Sequence, residues 1–439
     1  MPYHFCKIAP EELDTMSASH PQGNFQQTSQ MGHHRQTRGV RVYYVGARES
    51  NEHGPLVAAA QLEIHHNRLS TFAVIHDGPL CDFRNTELTK FFLNKICAFA
   101  KHQGAAQLEI TPEVPYQVRD AWGKPLVEQP DAATDLSPAV ARDVSACPNT
   151  PSVGSITAAG FAHEGFTLGY SAVPRWRFVK DLSNITNERD LLASYTKNTR
   201  RDLRIAQESF VTVRSIARDE LSIFRDLCEL SCEKQGFENH SLTYFESLYD
   251  ALGSLADVKV AFIDIRAYLA SWEHKRDSLK ADIEKFERQL AITPHARKIE
   301  NRLRDAKEKY ESALRRIDET RELATENTQY VPAATAFFIW HPRERVYLYS
   351  GSDRRVAKLC APTAIQHRAM LDCLERGITR YNFYGINGVF DDPHDAGRGL
   401  LEFKQGFGGY VEELLGTFDY TLKPLVYKTK QLAHKVLGR

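Results

Sequence analysis

Lys404 stands alone among aromatic and glycine residues in Gly399-Leu400-Leu401-Glu402-Phe403-Lys404-Gln405-Gly406-Phe407-Gly408-Gly409. An ammonium fixed beside a ring can stabilise an oxygen that is gaining negative charge, and it does so without serving as a nucleophile. Phe403 next to it can exclude water or stack on a base. Just upstream, Tyr381-Asn382-Phe383-Tyr384-Gly385-Ile386-Asn387-Gly388 reads as a strand that ends in glycines. A second chemical grouping is Lys197, Arg200, Arg201 and Arg204. Their spacing of i, i+3, i+4 and i+7 gathers four cations on one helix face, which suits phosphate binding and equally suits a solvated face.

Other chemistries find no support in the sequence. His33-His34 and His65-His66 are adjacent pairs whose side chains diverge, and neither an HExxH nor a GxSxG stretch occurs. Gly406-Phe407-Gly408-Gly409 lacks the GK[ST] ending of a nucleotide P-loop. The 8 cysteines are irregularly spaced, and only Cys228 and Cys232 lie close together, so they read as reduced, packed thiols. No cofactor or metal is implied. Lys plus Arg equals Asp plus Glu at 56 each, so an anionic partner must be met by local patches rather than by net charge. The chain opens without a basic-then-apolar leader, and no run reaches the ~18 apolar residues of a membrane span, which predicts a cytosolic protein.

Several elements must position these groups. Strand-like runs at Val40 to Val45, Leu56 to Ile64 and Gln107 to Ile110, with a helical run from Thr86 to Lys101, predict a mixed α/β region. The stretch from Gly123 to Gly154 is rich in Pro, Ala, Asp and Ser and reads as a long loop. A second α/β region begins near Arg175-Trp176, with helices at Leu191 to Gln207 and Leu221 to Gln235. It resumes with strands at Val331 to Trp340 and Arg345 to Ser350 and a helix at Ala364 to Arg376.

Between the two parts of that second region lie two apolar seams. One runs through Leu269, Trp272, Leu279, Ile283, Phe286 and Leu290, and the other through Ala296, Ile299, Leu303, Ala306, Tyr310, Ala313 and Ile317. Thr293-Pro294-His295 separates them, so the spacing predicts an antiparallel coiled-coil hairpin with arms reaching roughly 40 Å. Its outer face mixes Lys and Arg with Glu and Asp. An arm that contacts an anionic partner, a dimerisation element and a solvated spacer all fit that mixture.

The order of these segments resembles the FemABX peptidyltransferases, which move amino acids from tRNA onto peptidoglycan precursors. The likeness runs through Gly23-Asn24-Phe25-Gln26-Gln27-Thr28, the basic helix from Lys197, Gly236-Phe237 with Tyr244-Phe245, Tyr347 to Ser352, and most specifically Phe403-Lys404. It implies an α/β fold of two GNAT-like domains with an inserted helical hairpin, as in the members that carry a coiled-coil arm. The boundaries expected are 1–170 for the first domain, 171–265 and 326–415 for the second, 266–325 for the arm, and 416–439 for a tail packing back on the first domain. The resemblance also implies that an acceptor amine attacks the ester carbonyl of aminoacyl-tRNA, with Lys404 and Phe403 in the catalytic role. Arg35, His240, Tyr244 and Tyr349 fall on its substrate-binding positions, with Arg35 replacing a lysine and His240 an arginine. Thr111-Pro112 replaces an Asp-Pro pair, removing a carboxylate.

The partners expected are aminoacyl-tRNA and a peptidoglycan precursor, either lipid II or UDP-MurNAc-pentapeptide. A lipid-linked precursor would bring the protein to the inner membrane leaflet. For Lys197, Arg200, Arg201 and Arg204, both the precursor diphosphate and the tRNA acceptor stem are ligands of the right charge. Two other classes of function also fit: a GNAT-like acyltransferase using acyl-coenzyme A, against which stands the missing pyrophosphate loop, and a non-catalytic scaffold assembled through the hairpin.

Overall fold

The computed structural model of the chain describes residues 2–67, 70–126, 148–171, 173–235, 238–323 and 329–424. Most of the loop expected from Gly123 to Gly154, the Gly236-Phe237 pair and the tail beyond residue 424 lie outside the described residues.

Two sheets organise the molecule. The strands are β1 (Tyr3–Lys7), β2 (Arg41–Glu49), β3 (Leu56–His66), β4 (Thr71–Ile75), β5 (Gln107–Ile110), β6 (Pro115–Asp120), β7 (Ala162–His163), β8 (Trp176–Asp181), β9 (Val211–Ile216), β10 (Ala256–Asp264), β11 (Tyr330–His341), β12 (Glu344–Ser352), β13 (Arg380–Ile386), β14 (Tyr410–Leu414) and β15 (Phe418–Thr421). The first sheet runs β1-β2-β3-β4-β5-β15-β7 and the second β6-β14-β8-β13-β12-β11-β10-β9. Each contains one parallel pair, β4 with β5 and β12 with β13, where a helix crosses over between consecutive strands. The mixed α/β architecture with a helical insertion is the one expected.

The helices are α1 (Pro10–Ser19), α2 (Ser29–Thr37), α3 (Thr86–His102), α4 (Thr150–Ala158), α5 (Glu188–Ala193), α6 (Lys197–Glu208), α7 (Leu221–Gln235), α8 (Leu242–Leu252), α9 (Ile265–Ile292), α10 (Arg297–Leu323), α11 (Ala361–Arg376) and α12 (Arg398–Gln405). Asn85 caps α3 by accepting from Leu88 N at 3.0 Å, and the Leu88, Phe92, Leu93, Ile96 and Ala100 stripe is buried against the first sheet. The second sheet is covered on one face by α11 and on the other by α7 and α8. Phe25 and Met31, from the first half of the chain, complete the latter core and so join the two halves.

The helical run expected from Leu191 to Gln207 is broken. Ser194 turns its hydroxyl back to the Leu191 carbonyl at 2.6 Å, and Thr196 adopts an extended conformation in which its Oγ1 accepts from Thr199 N at 3.3 Å. That side chain starts a new helix, α6, at Lys197.

The strands β10 and β11 are antiparallel neighbours, with Asp264 opposite Tyr330, and the hairpin α9–α10 is the long connection between them. Ala306, Ala313 and Ile317 are buried along its seam. Lys307 reaches across to Glu287 at 2.7 Å and Arg321 to Glu273 at 2.7 Å, so ion pairs flank the apolar contact as in other two-helix seams.

Candidate active site

The Gly23 to Thr28 segment folds into a tight buried turn. A Cβ on Gly23 would sit 1.6 Å from the Ser17 carbonyl oxygen, so only glycine fits there. Asn24 Oδ1 accepts from Gln26 N at 2.9 Å, while its amide donates to the Asp77 carbonyl at 2.8 Å. Gln27 donates to the His76 carbonyl at 2.6 Å and accepts from Gln61 N at 2.8 Å. Thr28 then caps α2, which carries Arg35.

Arg35 donates through Nε to both Glu63 oxygens at 3.1 Å and through Nη2 to Gln26 Oε1 at 2.9 Å. Burial opposes ionisation of Glu63, but the hydrogen bond from His65 and the charges of Arg35 and His76 together outweigh it and hold its carboxyl at about 2. Arg35 is therefore a fixed cation.

Three further residues singled out by the sequence converge opposite it. The Tyr244 and Tyr349 hydroxyls lie 2.9 Å apart, and the His240 ring stacks on Tyr244 at 4.1 Å. A bulge on β12 explains why Tyr349 faces this way. Phe337 pairs with Tyr349 but Phe338 pairs with Tyr347, so Leu348 is the extra residue. The bulge turns Tyr347 into the α11 core and Tyr349 toward the α8 side. Burial pushes the Tyr349 phenol up, and its Tyr244 neighbour adds to this, so Tyr349 stays a protonated hydrogen-bonding group able to meet carbonyl or carboxylate oxygens. Burial and the charge of Arg38 push His240 down, which favours its neutral form.

Lys404 lies on α12 and is 2% exposed. Its Nζ donates to the Gly385 carbonyl at 2.6 Å, and burial pushes the ammonium down to about 7. Phe403 is half-buried and meets Phe407 edge-on at 5.2 Å. The glycines that follow let the chain turn tightly, since a Cβ on Gly409 would lie 2.4 Å from the Val179 carbonyl oxygen. A second buried lysine, Lys180, pins this turn by donating to the Phe407 carbonyl at 2.7 Å and to Ser194 Oγ at 2.8 Å.

The basic helix α6 begins against this turn, with Thr196 N donating to the Gly406 carbonyl at 2.9 Å. Lys197, Arg200, Arg201 and Arg204 all lie on its exposed face. Arg200 bends back to the Tyr195 carbonyl at 2.5 Å, Arg201 pairs with Asp202 at 3.0 Å and Arg204 with Glu208 at 3.7 Å. The structure thus forms two groups of expected residues. Arg35, His240, Tyr244 and Tyr349 form one; Phe403, Lys404 and the start of α6 form the other.

Between them stands a charged post that the sequence reading missed. Arg177 of β8 pairs with Asp77 and with Glu113, each at 2.6 Å, and all three are buried. Arg380 pairs with Glu344 at 2.9 Å and with Glu412 at 2.6 Å alongside. Burial pushes the Asp77 and Glu113 carboxyls up against the pull of Arg177. The site holds two buried carboxylates, and Thr111 Oγ1 accepts from Asp77 N at 3.0 Å. The available signal was Arg177 and Lys180 within the otherwise apolar Trp176-Arg177-Phe178-Val179-Lys180 strand.

Residues 8–435 match the model of the FemAB family. The chain is 25% identical over 441 residues to Aminoacyltransferase FemA of Staphylococcus aureus, strains MW2 and COL, with 99% of this chain and 99% of each relative covered. It is also similar to the crystal structure of FemX, with a TM-score of 0.71 and 24% identity over 97% of this chain and 99% of that one, and the two share a fold. Matched across nearly its whole length, the chain belongs to the FemAB family.

Proposed function

We propose that the protein is a tRNA-dependent aminoacyltransferase that adds an amino acid to the stem peptide of a peptidoglycan precursor during interpeptide-bridge formation. The observation that carries this reading is the meeting of the two residue groups at Tyr384-Gly385. Gly385 accepts from Lys404 on one side, and Tyr384 faces the Arg35 group on the other.

In the reaction, the acceptor amine attacks the ester carbonyl of the aminoacyl-tRNA. A C–N bond forms, the C–O bond to the ribose breaks, and the ribose oxygen takes the proton that the amine gives up. Arg35, His240, Tyr244 and Tyr349 are assigned to the precursor, whose peptide carbonyls and carboxylates match their donors. Lys197, Arg200, Arg201 and Arg204 are assigned to tRNA phosphates at the mouth of the second group. Phe403 offers a half-buried ring for the terminal adenine, and Lys404 is required at the transfer step. Among the described residues no helix is long and apolar enough to cross a membrane. We place the protein in the cytoplasm, meeting a lipid-linked precursor at the membrane face.

The test is transfer of radiolabelled amino acids from mixed charged tRNA onto lipid-linked precursor. Wild type should incorporate label, and Lys404→Ala should lose it by about 100-fold or more while still binding tRNA. Absence of transfer by wild type, alongside an active relative on the same precursor, would overturn the assignment.

A further inference from the structure

The strand β13 loses register between Asn382 and Gly385, so Phe383 enters the α11 core while Tyr384 faces the other side. Tyr384 does this with a φ of +62°, a left-handed region that a residue with a Cβ seldom enters. It is held from both ends. Its N–H donates to Asn382 Oδ1 at 2.8 Å, and the carbonyl of the next residue, Gly385, accepts from Lys404 Nζ at 2.6 Å. A Cβ on Gly385 would lie 2.8 Å from the Pro174 ring, so the segment is packed on a third side as well.

The ring held in this way lies between the two residue groups. It meets Phe25 edge-on at 6.1 Å and lies 5.2 Å from the Arg177 guanidinium. Its phenol neighbours the Gln26 side chain, which in turn accepts from Arg35. Asp77, the partner of Arg177 from the first half of the chain, also has a left-handed φ of +50°. Two strained residues from different parts of the chain therefore converge on one arginine. Such conformations persist where the surroundings over-determine them, and they cluster at working sites.

We infer that Tyr384 is a further substrate-contacting residue of the transfer site, its phenol donating a hydrogen bond to the ester carbonyl oxygen as that oxygen gains charge, and that Lys404 is a positioning residue acting through it. The phenol keeps its proton throughout; the amine's proton passes to the departing ribose oxygen. This inference rests on the aminoacyl-transfer reading and assigns the work within it. Lys404, turned inward onto a main-chain carbonyl, holds Gly385 and with it the tyrosine.

Single-turnover transfer from charged tRNA to lipid-linked precursor, measured for Tyr384→Phe, Lys404→Met, the double variant and Lys404→Gln, tests it. Tyr384→Phe keeps the ring and should slow the transfer step about 10–100-fold with little change in KM. The double variant should be no slower than the slower single variant, because both lose the same contact. Lys404→Gln, a neutral donor, should recover a large part of the rate lost in Lys404→Met. Multiplying losses in the double variant, a glutamine variant as slow as the methionine one, or a Tyr384→Phe effect confined to KM each overturns the inference while leaving the function standing. If Lys404→Met does not fold, the Tyr384→Phe rate and the glutamine rescue against Lys404→Ala decide it. A wild type that transfers nothing beside an active relative overturns both readings together.

Discussion

Lys404 carries a cost that its surroundings do not repay with a counter-ion, since burial alone pushes its ammonium from 10.5 down to about 7. Below about pH 7 the lysine is charged in both the folded and the unfolded chain, and the folded state bears the desolvation penalty. Between about 7 and 10.5 the unfolded chain holds a proton that the folded one has released, so stability climbs with pH by up to ~1.4 kcal/mol per unit. Lys404→Met removes this slope. Urea unfolding at pH 6.5 and 9 should show wild type gaining on the variant as pH rises, and parallel behaviour would mean that the ammonium is better solvated than its burial indicates. The importance of Lys404 could be read from its aromatic and glycine neighbours, but its burial could not, because the Gly385 carbonyl that receives it comes from a different element, strand β13. Tyr384 was hidden for a related reason: nothing local distinguishes a strand tyrosine from one that a bulge and two hydrogen bonds hold at positive φ.

Among the elements, the helical hairpin was the most visible in advance, since a seam spaced three and four apart and a proline-containing break are local properties of the chain. The break before α6 was not visible, because Ser194 and Thr196 are compatible with a continuing helix and become stops only through their hydrogen bonds to Leu191 and Thr199. Thr196 also presents its N–H to Gly406, so its cap ties the basic helix to the lysine-bearing one. Thr196→Ala should lower stability by about 1 kcal/mol, read as a shift in urea midpoint, and weaken tRNA binding. An unchanged affinity would detach α6 from the tRNA role. The hairpin itself joins strands already paired at Asp264 and Tyr330, so replacing residues 269–323 with a short Gly/Ser linker should leave a single cooperative melt. Loss of cooperativity would make the arm part of the core.

Across the two halves, cohesion rests on the Phe25 and Met31 packing and on Arg177 with its two carboxylates. Arg177→Met should cost on the order of 3–5 kcal/mol at pH 8, because Asp77 and Glu113 are left buried without their cation. The deficit should shrink at pH 5, where carboxyls already pushed up by burial take protons and shed the unpaired charge; a pH-independent deficit in urea unfolding would contradict the pairing. This network was out of reach from the sequence, since Asp77, Glu113 and Arg177 sit on separate segments and only the fold brings them within 2.6 Å. The halves also exchange strands: β6 pairs with β14 in the second sheet, while β15, near the far end, pairs with β5 in the first. During synthesis β5 must therefore wait for a neighbour that leaves the ribosome about 300 residues later, a delay on the order of 15–60 seconds at ordinary elongation rates. Throughout that interval the growing chain exposes an unpaired strand edge, the kind of surface that chaperones cover and that aggregation exploits, and its production should depend on the pace of translation more than that of a protein whose domains close in turn.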